Sequence, residues 1–123
     1  MLKFITDLFK PSAPKAPQPI SAETSMNFGA EEVIPFLTRV ANNPRFEFAT
    51  DFAKELGINV LTTPVEDTRR WRVGGSFDGH PIRLEVEAFM DDVDAPDLYF
   101  HSSQAAVLEI EQELDAFARE TGK

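Results

Sequence analysis

The amino-acid sequence predicts an α+β fold, an antiparallel sheet of about four strands with two N-terminal helices and one C-terminal helix packed on it. Three observations support this class. Apolar and polar residues alternate on both sides of Asp78-Gly79, a dipeptide that favours a two-residue hairpin turn. Three other stretches repeat apolar residues at the spacing of a helix. A chain of 123 residues with 42% hydrophobic residues suits one modest core, which we place in residues 26–123.

A detached amphipathic helix is predicted for residues 1–10, MLKFITDLFK. On a helix, its apolar side chains cover one broad side. The side chains that we expect to contact a partner are Leu2, Phe4, Ile5, Leu8 and Phe9. Pro11 ends this helix, because its ring removes a hydrogen-bond donor and clashes with the preceding turn. Residues 11–25 are rich in proline, alanine and serine, which predicts an extended linker.

The energetics of helix 1–10 indicate what it can do. Burying each large apolar side chain contributes about 1.5–3 kcal/mol, whereas fixing each residue costs about 1–2 kcal/mol of backbone entropy. These sums nearly cancel, so the helix should be ordered only against a surface. That surface is the protein's own domain, a groove on a partner protein, or a membrane interface, where the contact would be weak and peripheral.

The first helix of the domain is predicted within GAEEVIPFLTRVANN, residues 29–43. Its proline, Pro35, fits only if the regular helix starts near Glu31 or Glu32, since a proline deeper in a helix produces a kink. The apolar stripe that we expect to be buried consists of Val33, Phe36, Leu37 and Val40.

A second helix is predicted to begin at Asn43 as N-cap, with Pro44 in the first helical position and Gly57 just past the end. This helix would have two apolar faces. Phe48 and Phe52, four residues apart, form the second face, which is either buried or open to a partner.

The middle of the chain predicts strands. The β-branched stretch INVLTT, residues 58–63, ends at a proline and reads as a strand. Folding residues 69–90 about the Asp78-Gly79 turn gives one apolar face and one face with two opposite-charge pairs. The apolar face pairs Phe77 with His80, Gly75 with Ile82, Val73 with Leu84 and Trp71 with Val86. The other face pairs Gly74 with Arg83, Arg72 with Glu85 and Arg70 with Glu87.

A short strand, residues 98–102, and a final helix complete the predicted domain. Ser102 or Ser103 caps this helix. Its apolar residues recur at helical spacing and indicate a face toward the core. They are Val107, Ile110, Leu114 and Phe117.

The charge of the chain is uneven. Three lysines against one aspartate give residues 1–20 a charge of +2, and nine basic against twenty acidic groups give the remainder −11. A body this acidic repels nucleic acids and anionic lipids, so direct nucleic-acid binding is not expected. The chain has no cysteine, which excludes disulfides, thiolate metal sites and a cysteine nucleophile. No apolar run is long enough for a membrane-spanning helix.

Candidate residues for chemistry are few. His80 and His101 are the only histidines, and neither forms a motif with a serine or threonine. Four carboxylates between the last two strands could gather oxygen ligands for a cation, but the loop lacks the glycine and the terminal glutamate of an EF-hand. These carboxylates are Asp91, Asp92, Asp94 and Asp97. We read them as a solvated acidic loop and assign no catalytic residue, cofactor or metal.

The sequence therefore favours a non-enzymatic protein-interaction module, an adaptor or chaperone-like subunit that docks on another protein through residues 1–10. In size, acidity and mixed fold the chain resembles small bacterial secretion chaperones in general character only, and no residue takes a role from that resemblance. We expect a cytoplasmic protein, with peripheral membrane contact and a homodimer as further options.

Two alternative functions come from other classes. One is an inhibitor that mimics nucleic acid through its acidic face, with Glu109, Glu111, Glu113 and Asp115 in place of phosphates. The other is a small enzyme or metal-binding protein that uses His101 and the loop of residues 91–97.

Overall fold

The computed structural model describes residues 18–27, 29–49 and 51–122, and the structural statements below concern these residues. In chain order the elements are β1 (Ala22–Met26), a 3₁₀ turn (Ala30–Glu32), α1 (Val33–Ala41), β2 (Phe46–Phe48), α2 (Phe52–Leu61), β3 (Thr68–Phe77), β4 (His80–Phe89), β5 (Asp97–Ser102) and α3 (Gln104–Thr121). The strands form one antiparallel sheet in the spatial order β1-β5-β4-β3-β2. The predicted α+β class is confirmed, with five strands instead of about four.

The helices and the apolar face of the sheet share one core. The predicted stripe of α1 is fully buried, and the regular helix begins at Val33, directly after the 3₁₀ turn. Pro35 therefore lies in the first turn, where its missing N–H would have no partner in any case. Ser103 caps α3, because its Oγ accepts a hydrogen bond from the Ala106 N–H at 3.4 Å. None of the helices in the described ranges is long and apolar enough to cross a membrane.

The β3–β4 hairpin has the predicted register at every pair. Asp78 and Gly79 both have positive φ, 52° and 81°, as a type I′ turn requires. Its apolar face supplies buried side chains to the core, and its charged face carries the ion pairs Arg72–Glu85 and Arg70–Glu87.

The tip of the hairpin is held by Arg45, whose guanidinium donates two hydrogen bonds to the Asp78 carboxylate, at 2.9 and 2.7 Å. The Asp78 N–H also donates to the Arg45 carbonyl at 2.8 Å. The guanidinium hydrogen bonds stabilise the carboxylate and hold the pKa of Asp78 below its ordinary value of 3.8.

This ion pair predicts a pH dependence of stability. Because folding lowers the pKa of Asp78, the contribution is present above the ordinary pKa and is lost as the pH falls through the lowered one. Thermal melts from about pH 7 to about pH 2 should show the wild type and Asp78→Asn converging in acid. Asparagine tolerates the positive φ, so the turn itself is retained. A difference in melting temperature that stays constant with pH would contradict the ion-pair contribution.

The predicted helix from Asn43 to Gly57 is wrong. Pro44 lies in a turn that is closed by the Phe46 N–H donating to the Asn43 carbonyl at 3.0 Å, and the chain then forms β2. The Asn43 side chain accepts from the Arg45 N–H at 2.9 Å, which is the local hydrogen bond of an Asx turn. The helix in this region, α2, begins after the N-cap Asp51 instead.

The predicted strand at residues 58–63 is also wrong, because residues 58–61 are the last turn of α2. Gly57 lies inside this helix and is buried against the Ile34 side chain of α1, so a glycine allows the two helices to approach closely. The buried residues of α2 recur at helical spacing, and this burial overrides the β propensity of Ile58 and Val60. They are Phe52, Ala53, Leu56, Gly57 and Val60.

Residues 22–25, predicted as the end of the linker, belong to the sheet. They form most of β1, which pairs with β5 from Ala22 opposite Ser102 to Met26 opposite Leu98. Met26 is buried, and Ser21 extends the ladder through an N–H that donates to the Ser102 carbonyl at 2.9 Å. The predicted boundary between linker and domain at residues 25 and 26 thus falls inside a strand.

Candidate functional site

Half of the long strand β3 forms an open edge of the sheet. β2 pairs only with Gly75–Phe77, and the Ala49 N–H adds one bond to the Gly74 carbonyl at 3.3 Å. Residues 68–73 therefore have a strand neighbour on the β4 side alone, within the described part of the chain. We call residues 68–73 the β3 edge.

The hairpin register fixes which backbone groups the β3 edge presents. In a two-residue hairpin the residues next to the turn form a hydrogen-bonded pair, and such pairs then alternate along the ladder. Arg69, Trp71 and Val73 thus direct their N–H and C=O groups to β4. Arg70 and Arg72 direct theirs outward, and no residue in the described ranges bonds them. These outward groups can form a ladder with another extended chain.

A groove lined by both polar and apolar side chains runs between the β3 edge and α2. Trp71 and Val73 are half-buried on the strand side, and Phe52 and Leu56 are buried on the helix side. The groove has a volume of about 180 Å³, close to the ~150 Å³ in which an apolar cavity holds benzene. It can therefore take one large apolar side chain. Glu55 and Asn59 of α2 also line it.

Three of the six residues of the β3 edge are arginines, Arg69, Arg70 and Arg72, although the protein as a whole is acidic. Arg70 contacts Glu87 at 3.2 Å and Glu85 at 3.7 Å, and Arg72 contacts Glu85 at 3.5 Å. These pairs draw both guanidiniums over the outer face of the sheet toward β4, so the arginines do not cover the edge. Arg69 points to the same side of the sheet as Trp71, since the two are two residues apart in the strand. Its side chain is exposed and makes no ion pair with any described residue.

Phe48 and Phe52, the predicted second contact surface, lie on two different elements. Phe48 is half-buried at the end of β2, and Phe52 is buried at the start of α2, 3% exposed. Their rings stack with centroids 4.1 Å apart, and Phe48 also stacks on Phe46 at 5.6 Å. Phe52 lines the groove, whereas the five N-terminal contact residues of the predicted helix 1–10 lie outside the described residues.

The structure does not bring His101 and the acidic loop together. His101 lies on the outer face of β5, with Nδ1 3.5 Å from Glu23 and Nε2 3.4 Å from Glu87. Asp97 begins β5, and three residues of strand lie between it and His101, which places their Cα atoms about 13 Å apart. In the loop, Asp92 accepts a hydrogen bond from the Asp94 N–H at 3.0 Å.

No group of three or more histidine or carboxylate side chains in the described ranges is arranged to hold a metal ion.

The carboxylates proposed as phosphate mimics on α3 are partly engaged inside the protein. Glu113 contacts Arg39 at 2.6 Å, and Glu109 contacts Arg45 at 2.8 Å. The Asn43 Nδ2 donates to Glu109 at 2.7 Å and also to Glu113. Two of the four carboxylates thus fasten α3 to α1 and to the turn before β2, while Glu111 and Asp115 are exposed.

The β3 edge was not predicted from the sequence, although the hairpin was. The signal that could have located it is the apolar alternation of Phe46 and Phe48, which indicates a short strand, followed by helical spacing from Phe52. A strand of three residues cannot cover a neighbour of ten.

No protein-family model matches the chain, and no curated protein or solved structure is significantly similar to it.

Proposed function

We propose that the protein is a cytoplasmic, non-enzymatic protein-interaction module that binds an extended segment of another protein along the β3 edge. The observation that supports this proposal is the juxtaposition of unpaired outward backbone groups at Arg70 and Arg72 with a groove beside them that is lined in part by apolar side chains. Strand addition to a sheet edge combines these two features: main-chain hydrogen bonds supply affinity, and a pocket for alternate side chains supplies specificity.

The way in which the β3 edge is exposed favours binding. Sheet edges are commonly protected by proline, by charged side chains that project across them, or by short length. The β3 edge is six residues long and contains no proline. Glu85 and Glu87 hold the guanidiniums of Arg70 and Arg72 over the sheet face instead. A partner strand therefore meets little steric obstruction.

We also propose that residues 1–10 contribute a second contact as an amphipathic helix on the same partner protein. The described chain starts at Gln18, which is exposed and whose N–H donates to the carbonyl of Pro81, the second residue of β4, at 3.1 Å. Residues 18–21 are all exposed. Once one of two linked contacts has formed, the second binding event occurs within the complex, so the overall affinity exceeds that of either contact alone.

Hydrogen exchange at individual backbone amides tests the proposal. In a complex of the full chain with a protein captured from native lysate, the Arg70 and Arg72 amides should exchange about tenfold more slowly, because each gains a hydrogen bond. The amides of Arg69 and Trp71 serve as the internal control, since they already face β4 and should change little. NMR of the ¹⁵N-labelled protein measures all four.

Two outcomes would count against the proposal in different ways. A complex that leaves the Arg70 and Arg72 amides unprotected would exclude the β3 edge as the binding site. Deletion of residues 1–17 that leaves capture and protection unchanged would exclude the second contact while retaining the edge. If the deletion abolishes capture of the partner, and the Arg70 and Arg72 amides of the full chain are not protected in the complex, then residues 1–10 are the principal contact.

A further inference from the structure

We infer that the segment bound at the β3 edge is an acidic strand of a different protein, with one large apolar side chain opposite Trp71 and carboxylates flanking it. This inference rests on the proposed function and adds the chemistry of the partner. It follows from the charges around the β3 edge and from the size of the groove.

The apolar position follows from the geometry of pairing. A strand that bonds the outward groups of Arg70 and Arg72 places the residue opposite Trp71 on the helix side of the sheet. There it meets the groove, whose volume of about 180 Å³ accommodates one leucine, methionine or phenylalanine side chain. The rings of Trp71 and Phe52 and the side chain of Leu56 supply the apolar lining.

The acidic positions follow from the arginines. Arg69 has no ionic partner among the described residues, and a carboxylate opposite it on the helix side would supply one. The Arg72 side chain is 89% exposed and shares Glu85 with Arg70, so it too can take a second carboxylate. Glu55 lines the groove from α2, so an acid is disfavoured inside the groove, opposite Trp71, whereas Arg69 is not part of its lining.

Charge also distinguishes among the available occupants. Pairing two copies of the protein through their β3 edges would place Arg70 and Arg72 opposite arginines of the other copy, and like charges opposite each other destabilise a sheet. Residues 1–17 carry three lysines against one aspartate, so this segment of the chain is also repelled by the arginines. A separate acidic strand has the complementary charge.

Short peptides added to the full chain test the inference. The probe is the capped heptapeptide Glu-Val-Asp-Phe-Asp-Glu-Glu. Paired antiparallel with phenylalanine opposite Trp71, it places aspartates opposite Arg70 and Arg72 and a glutamate opposite Arg69. Its matched control carries lysine at every acidic position. The acidic peptide should slow exchange at the Arg70 and Arg72 amides and bind more tightly than the lysine peptide. Arg69→Glu should weaken its binding by about 3- to 10-fold. Arg119→Glu should have little effect, because it makes the same change in net charge at an exposed position of α3, which packs on β1, β5 and α1.

The outcomes separate this inference from the proposed function. If the lysine peptide protects the Arg70 and Arg72 amides as well as the acidic one does, the partner's chemistry is wrong and the β3 edge remains a docking site. If neither peptide protects them, both are overturned. If protection of the Arg70 and Arg72 amides increases with the concentration of the protein when no peptide is added, a second copy of the protein occupies the β3 edge. Protection in the free full chain that disappears when residues 1–17 are deleted would make that segment the occupant. Either result overturns the inference.

Discussion

Replacing Phe36 by alanine should destabilise the protein by about 3–5 kcal/mol, the largest effect that we expect from a single substitution. Phe36 is completely buried and joins three elements. Its ring lies 6.0 Å from that of Phe100 in β5, in an edge-on arrangement, and 5.6 Å from that of Phe117 in α3. Alanine removes both aromatic contacts and leaves a cavity between helix and sheet that the surroundings fill only partly.

Urea unfolding of the wild type and Phe36→Ala measures this loss. A domain of this size has a total stability of about 5–15 kcal/mol, so the variant should unfold at a much lower urea concentration or fail to fold. Leu108→Ala is the matched control, since Leu108 is 54% exposed on α3 and its loss should stay within about 0.5 kcal/mol. A loss below about 1 kcal/mol at Phe36 would mean that this part of the core is not packed as described.

Gly75→Ala should destabilise the protein by about 1–3 kcal/mol, while the same change at the adjacent Gly74 should be neutral or slightly stabilising. A β-carbon on Gly75 would collide with the Glu47 carbonyl oxygen and lie 2.9 Å from the Phe48 ring. The carbonyl belongs to the backbone of β2, so relief requires β2 to move away from β3. A β-carbon on Gly74 meets nothing within 4 Å.

The two glycine variants form a matched pair, because they make the same change at neighbouring positions of one strand. Thermal and urea unfolding of both variants measure the change in stability at each position. A loss at Gly75 alone indicates the close approach of β2, because a general effect of strand propensity would act on both glycines. Equal effects at Gly74 and Gly75 would contradict the close approach. If β2 is displaced, Gly75→Ala should also lengthen the β3 edge available to a partner, and hydrogen exchange at Ser76 would report it.

The β3–β4 hairpin could be predicted pair by pair because all of its information is local. The turn residues Asp78 and Gly79 fix the register, and the alternation on either side agrees with only one face toward the core. The buried stripe of α1 could be predicted for a similar reason, since helical spacing relates residues three and four apart.

β1 could not be predicted in this way, because AETSM has neither a clear alternation nor β-branched residues beyond Thr24. Its place in the sheet depends on β5, which lies far along the chain. At Asn43 and Pro44, local signals that suit a helix start serve a turn equally well. Tertiary burial, which the local pattern does not contain, decided between the two.

The candidate site depends on the same long-range information. Arg69, Arg70, Trp71 and Arg72 are visible in the sequence as one strand of a hairpin. Whether their outer side is covered depends on the length of β2 and on the position of α2. The sequence predicts a strand at residues 58–63, which would be a possible neighbour for β3. The open edge therefore cannot be recognised until these residues are known to be helical.

The pairing of β1 with β5 has a consequence for the order of events during synthesis. Ala22 and Ser102 pair although about 80 residues separate them, and a ribosome adding about 5–20 residues per second releases the partner roughly 4–16 s after β1. The β3–β4 hairpin and α1 can form in that interval, since their contacts are local. β1 therefore joins the sheet late, and the nascent chain passes several seconds with this strand open to capture by a chaperone or by another nascent chain.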